Sequence, residues 1–122
     1  MRICVLLCGL LLAGCAVNAI EVSEADNGKA IMANPGQTVA VTLDENPMTG
    51  YQWNVAVDPP GPWQLVTSSF SPPPAGRVGG GGTRTWLLRA AHGGQAHLVF
   101  DLRRRWGDEK PLKHLDFELL AQ

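Results

Sequence analysis

Chemistry on a substrate needs a nucleophile beside a base, two carboxylates at working distance, or a cage of metal ligands. The chain of 122 residues offers little of any of these. Its three cysteines, Cys4, Cys8 and Cys15, all fall within the first fifteen residues. Its histidines are scattered: His97 lies on the outward phase of a strand-like run with Leu98 and Phe100, His92 precedes the turn Gly93-Gly94, and His114 borders the last apolar run. They read as surface histidines rather than bases, and no HxH or CxxC spacing points to a metal. The run Gly79-Gly80-Gly81-Gly82 raises phosphate binding, but a phosphate loop needs Gly-Lys-Ser/Thr opening a helix, and here Thr83-Arg84-Thr85-Trp86 continues as a strand. The carboxylates form no evident acid and base pair. No catalytic residue, metal or cofactor is therefore expected, and recognition by loops is the function left.

Three segments have the composition for it. Asn46-Pro47-Met48-Thr49-Gly50-Tyr51 holds Pro47 to fix φ and Gly50 to accept a positive φ, which predicts a short, stiff, protruding turn with an apolar Met48 that lacks a local partner. Gly79 to Thr83 presents backbone amides and carbonyls almost without side chains; a linker with no packed role is the alternative for that glycine run. Arg104-Arg105-Trp106 supplies cations and a large aromatic, types enriched where proteins bind one another.

The elements that must position these loops are strands. Apolar residues recur with a period of two at Val39, Val41, Leu43; Trp53, Val55, Val57; Trp86, Leu88, Ala90; Ala96, Leu98, Phe100, Leu102; and Leu115, Phe117, Leu119. Gly- and Pro-containing breaks separate them, and no helical pattern or internal repeat is present. About seven short strands of this kind predict an all-β sandwich, in which loops separated by an even number of strands emerge at one end. Two connections exceed what hairpins require, Ser68 to Gly82 and Arg104 to Lys113.

Ordered structure is expected from near Lys29, giving an organisation of 1–14, 15–28 and 29–122. Arg2 followed by the apolar run Ile3 to Leu12 is a signal peptide in outline, too short to span a bilayer. It ends in Leu12-Ala13-Gly14-Cys15, which resembles the lipobox of bacterial lipoproteins; a plain secretory cleavage site near Ala16-Val17-Asn18-Ala19 is the alternative. The resemblance implies cleavage before Cys15, lipidation of its thiol, a tether from 15 to 28 and an exported, membrane-anchored protein. Ala16 after the lipidated position leans, by the same resemblance, to the outer membrane. Cys4 and Cys8 would leave with the signal, so no disulfide could form and the fold must rest on packing. Ten basic against eleven acidic residues give no footprint for nucleic acid.

Taken in order, the three segments resemble the marks of the chagasin family of cysteine peptidase inhibitors: an NPTTGY/F-type loop at Asn46 to Tyr51, a GxGGT loop at Gly79 to Thr83, and an RPW-type loop at Arg104 to Trp106. The likeness runs from about Lys29 to Leu120. It implies an immunoglobulin-like sandwich, not an enzyme, whose loops fill the active-site cleft of a papain-like cysteine peptidase reversibly and without covalent chemistry, as a monomer. Met48 and Thr49 would sit closest to the peptidase's catalytic Cys and His. The glycine backbone would pair with the cleft wall as a substrate strand does. Arg104 and Trp106 would anchor the opposite side of the cleft. Two positions depart from the family pattern: Met48 replaces a Thr, and Arg105 replaces a Pro. The other reading is a structural or adhesive envelope lipoprotein of the same fold, binding another protein or peptidoglycan. Loops at opposite ends of the sandwich would exclude the inhibitor.

Overall fold

The period-two runs become strands because alternation buries one face of each and leaves the other wet. In the computed structural model, residues 19–73, 81–106 and 110–122 are described. They form β1 (Ile20–Val22), β2 (Ala30–Ala33), β3 (Thr38–Glu45), β4 (Tyr51–Asp58), β5 (Trp63–Ser71), β6 (Gly82–Ala90), β7 (Gly94–Arg104) and β8 (Lys113–Ala121), with one-turn 3-10 helices at Glu24–Asp26 and Pro47–Thr49. The strands make two four-stranded sheets, ordered β1-β3-β6-β5 and β2-β8-β7-β4. This is the expected all-β sandwich.

Its core is what the alternation predicts. Val39, Val41 and Leu43 of β3 and Trp86, Leu88 and Ala90 of β6 meet Ala96, Leu98 and Phe100 of β7 and Leu115, Phe117 and Leu119 of β8, all buried. Phe100 is the hub. Edge-to-face contacts join it to Trp86 across the sheets, with centroids 4.8 Å apart, and to Trp53 and Phe117 at 6.3 and 6.0 Å. Such pairs add about 0.5–1.5 kcal/mol each beyond burial; the Trp86 contact ties the two sheets together, and the Trp53 and Phe117 contacts hold Phe100 within its own sheet.

Three strands differ from the sequence expectation. Among the described residues the first strand is not near Lys29 but is β1, which pairs in parallel with β3, Ile20 opposite Val39, and buries Val22. The chain then crosses to the other sheet, where β2 pairs in parallel with β8. Strands of three and four residues are too short for alternation to announce them. The third, β5, takes up the first part of the supposed long loop from Ser68. Its register on β6 slips between Leu65 and Thr67, so Leu65 faces Leu88 but Ser68, not Thr67, faces Trp86. A bulge at Val66 thus moves the inward positions from odd to even numbers, and this phase change hides the strand from a period-two search.

Candidate functional site

The first loop is a helical turn built from its own side chains. Asn46 caps it: its Oδ1 accepts the Met48 N–H at 3.2 Å, while its carbonyl accepts the Thr49 N–H at 3.1 Å. Pro47 opens the turn, where its missing N–H costs nothing. The Thr49 hydroxyl donates to the Asn46 carbonyl at 2.7 Å and accepts the Tyr51 N–H at 3.3 Å. Gly50 closes the turn with φ +81°, the left-handed conformation expected of it. With both sides of the turn pinned, Met48 stands at its tip, 89% exposed. The stiff, protruding turn is as the sequence predicts. The Thr49 hydroxyl, however, is already engaged within the loop.

The strand registers bring the other two segments to the same end. Glu45, at the end of β3, faces Gly82, at the start of β6; Tyr51, at the start of β4, faces Arg104, at the end of β7. Contacts between loops follow. The Arg105 N–H donates to the Gly50 carbonyl at 3.3 Å, and the Arg104 guanidinium lies over the Tyr51 ring, 4.9 Å from its centroid. Trp106 leans its indole on Gly50, where an added Cβ would stand 3.0 Å from the ring, yet 68% of the residue remains exposed. On the other flank, a Cβ at Gly81 would stand 3.0 Å from the Asn46 Cβ. A cleft of about 530 Å³ opens among the loops, lined by Asn46, Thr49, Tyr51, Gly81 and, behind, Leu102 and Leu112.

Gly79 and Gly80 lie outside the described residues, as do Cys15 and the leader before it. Gly82 does not belong to a linker: it is buried in β6, and a Cβ there would run into the Ser71 carbonyl and the Phe70 ring. At Gly82 the absence of a side chain is thus demanded by the protein's own packing, while at Gly81 a Cβ would fit only if Asn46 gave way. Thr83 follows in the strand. The histidines are surface groups as expected, with His114 Nδ1 2.6 Å from the Asp101 carboxylate and His97 3.5 Å from Asp116.

A carboxylate beneath the loops was not anticipated from the sequence. Glu45 is 4% exposed, its Oε2 2.7 Å from Arg84 Nε and its Oε1 accepting the Trp53 N–H at 3.3 Å. The sequence did carry a signal for it: Glu45 continues the inward phase of Val39, Val41 and Leu43, and a charge on that phase requires a partner.

With this geometry established, comparison with known proteins becomes decisive. The model of the chagasin family peptidase inhibitors I42 matches residues 32–119. The chain belongs to that family. No curated protein matches its sequence significantly. Among solved structures, a cysteine protease inhibitor from Entamoeba histolytica superposes with a TM-score of 0.77 at 22% identity, covering 85% of this chain and 96% of its own. Amebosin gives 0.70 at 21%, covering 85% and 98%. PbICP-C, solved in complex with falcipain-2, gives 0.57 at 13%, covering 85% and 91%. At such identities these neighbours establish the immunoglobulin-like fold, and the family match establishes an inhibitor rather than an enzyme.

Within the chagasin family pattern, the two departures now have surroundings. Met48 occupies the exposed tip, where a side chain is unconstrained by its neighbours. Arg105 sits where a Pro would have no N–H to give, and here that N–H is used, tying the third loop to Gly50.

Proposed function

We propose that the chain inhibits papain-like cysteine peptidases by filling their active-site cleft with the three loops. The observation that carries this reading is the convergence of the loops at one end of the sandwich, Trp106 lying on Gly50 and Gly81 against Asn46. A wedge of this kind needs no reacting group. It needs a stiff projection that survives in the cleft and offers no peptide bond in a cleavable pose, and the pinned turn of Asn46, Pro47, Met48, Thr49, Gly50 and Tyr51 supplies it. Met48 probes deepest, its flexible thioether suited to an apolar hollow beside the catalytic residues. Gly81, Gly82 and Thr83 lie on one flank. Arg104, Arg105 and Trp106 form the other, Trp106 offering a broad exposed face for stacking.

Titrating papain or cathepsin L with the purified protein while following hydrolysis of a peptide substrate tests the proposal. Loss of activity that saturates at one inhibitor per enzyme and reverses on dilution is expected. Unchanged hydrolysis at micromolar protein refutes the reading for those peptidases.

The proposal includes export and anchoring: residues 1–14 are removed, Cys15 carries the lipid, and the protein faces the periplasm or surface from the outer membrane. What supports it is the run Leu12-Ala13-Gly14-Cys15 behind an apolar leader. With β1 beginning at Ile20, four residues, 16–19, lie between Cys15 and the first described strand. The mass of the mature protein checks this; an unmodified Cys15 thiol overturns it.

A further inference from the structure

We infer that Glu45 and Arg84 are a positioning pair that sets the first loop against the second and so tunes how the wedge fits its target. The inference rests on the inhibitory reading above. Glu45 immediately precedes Asn46, and Arg84 follows the second loop by one residue after Thr83. One carboxylate ties three strands. It belongs to β3, its Oε2 is 2.7 Å from Arg84 Nε on β6, and its Oε1 accepts the backbone N–H of Trp53 on β4 at 3.3 Å. Trp53 returns a second tie, its indole N–H donating to the Asp44 carbonyl at 2.9 Å. Arg84 is itself oriented: its guanidinium lies 5.6 Å from the centre of the Phe70 ring, the same ring that closes against Gly82.

A simple contribution to stability does not account for this arrangement. A buried ion pair is often matched or bettered by apolar residues of similar volume, because desolvating two charges offsets most of their attraction. What an ion pair adds over an apolar pair is direction. The ladder between β3 and β6 ends at Glu45 and Gly82, so beyond it the backbone no longer dictates how the loops lean. There the two loops run side by side, close enough that a Cβ added at Gly81 would stand 3.0 Å from the Asn46 Cβ, so the lean of one loop sets the room left to the other. The charged pair runs diagonally from Glu45 on the last rung to Arg84 opposite Leu43, and braces the ladder where both loops leave the sheet.

The test compares three variants of the purified protein for inhibition of papain, thermal unfolding, and the backbone amide shifts and exchange of Asn46 and Gly81 by NMR. Arg84→Lys keeps the charge but loses the Nε contact and is expected to stay folded, with an inhibition constant raised about threefold or more. Glu45→Gln is expected to raise it about tenfold. Glu45→Leu combined with Arg84→Met is expected to recover the unfolding temperature but not the inhibition, with the Asn46 and Gly81 amides still displaced and that of Trp106 unmoved. Recovery of inhibition together with the unfolding temperature overturns the inference, as do unmoved Asn46 and Gly81 amides in Arg84→Lys. If the unaltered protein fails to inhibit papain, the inhibitory proposal falls for that enzyme, while the amide measurements still decide what the pair positions.

Discussion

Gly50 carries two demands that coincide. Its φ of +81° is a conformation that costs other residues about 1–2 kcal/mol, and its Cα is where the Trp106 indole rests. Gly50→Ala should therefore lower the unfolding free energy by roughly that amount, measured in urea, and weaken inhibition further because Trp106 is pushed outward. Thr49 acts differently. Since its hydroxyl donates to Asn46 and accepts from Tyr51, Thr49→Val removes contacts inside the loop worth about 0.5–1.5 kcal/mol each. The expected result is a three- to tenfold or greater rise in the inhibition constant, with stability in urea lowered by no more than these hydrogen bonds contribute. Met48 is the converse, a tip residue with nothing to hold up. Met48→Thr should leave stability unchanged and alter the ratio of inhibition constants between peptidases by about three- to tenfold, one neutral hydrogen bond's worth. Equal ratios would show the tip to be indifferent.

Among the elements, β5 shows how the second loop is mounted. Phe70 and Ser71 press on Gly82 so closely that any Cβ must displace both the Phe70 ring and the Ser71 carbonyl. Gly82→Ala should destabilise by about 1–3 kcal/mol or more, as overpacking commonly does, and because the Ser71 carbonyl stands nearer than the Phe70 ring, Phe70→Leu in the same chain should not restore it; full recovery in urea would contradict this. The same strand marks the limit of reading structure from sequence. Strands β3, β4, β6, β7 and β8 were legible because each keeps its apolar phase along its length, and the loop marks were legible because turn chemistry is local. Strand β5 was hidden by a bulge that reverses phase at Val66, and β1 and β2 by brevity. The partnership of Glu45 with Arg84 was illegible for another reason: the two stand 39 positions apart, and only the antiparallel register of β3 on β6 makes them neighbours. The role of Gly81 and Gly82 was likewise invisible, since the atoms that crowd a side chain at Gly81 come from Asn46 and those that forbid one at Gly82 from Phe70 and Ser71.

For the whole molecule, the wedge is assembled from both sheets. The first loop passes from one sheet to the other, the second closes a hairpin within the first sheet, and the third closes one within the second. Inhibition therefore requires the sheets in register, and the contact of Phe100 with Trp86 across them helps to enforce that. Phe100→Ala should cost about 3–5 kcal/mol, a large part of the roughly 5–15 kcal/mol typical of a domain. In the unaltered protein, tryptophan fluorescence and residual inhibition should fall at one urea concentration; inhibition lost well before fluorescence would mean that the loops melt separately. The parallel pairing of β1 with β3 has a separate effect. Because Ile20 lies opposite Val39, near the beginning of a strand whose far end launches the first loop, the chain enters at the rear, about 20 Å from the loops. It leaves there too, Ala121 lying opposite Gly94 at the end of β7 remote from Arg104. Held by a lipid at Cys15, the molecule would stand on the membrane with its back to the lipid, every copy presenting its blades outward to enzymes arriving from solution.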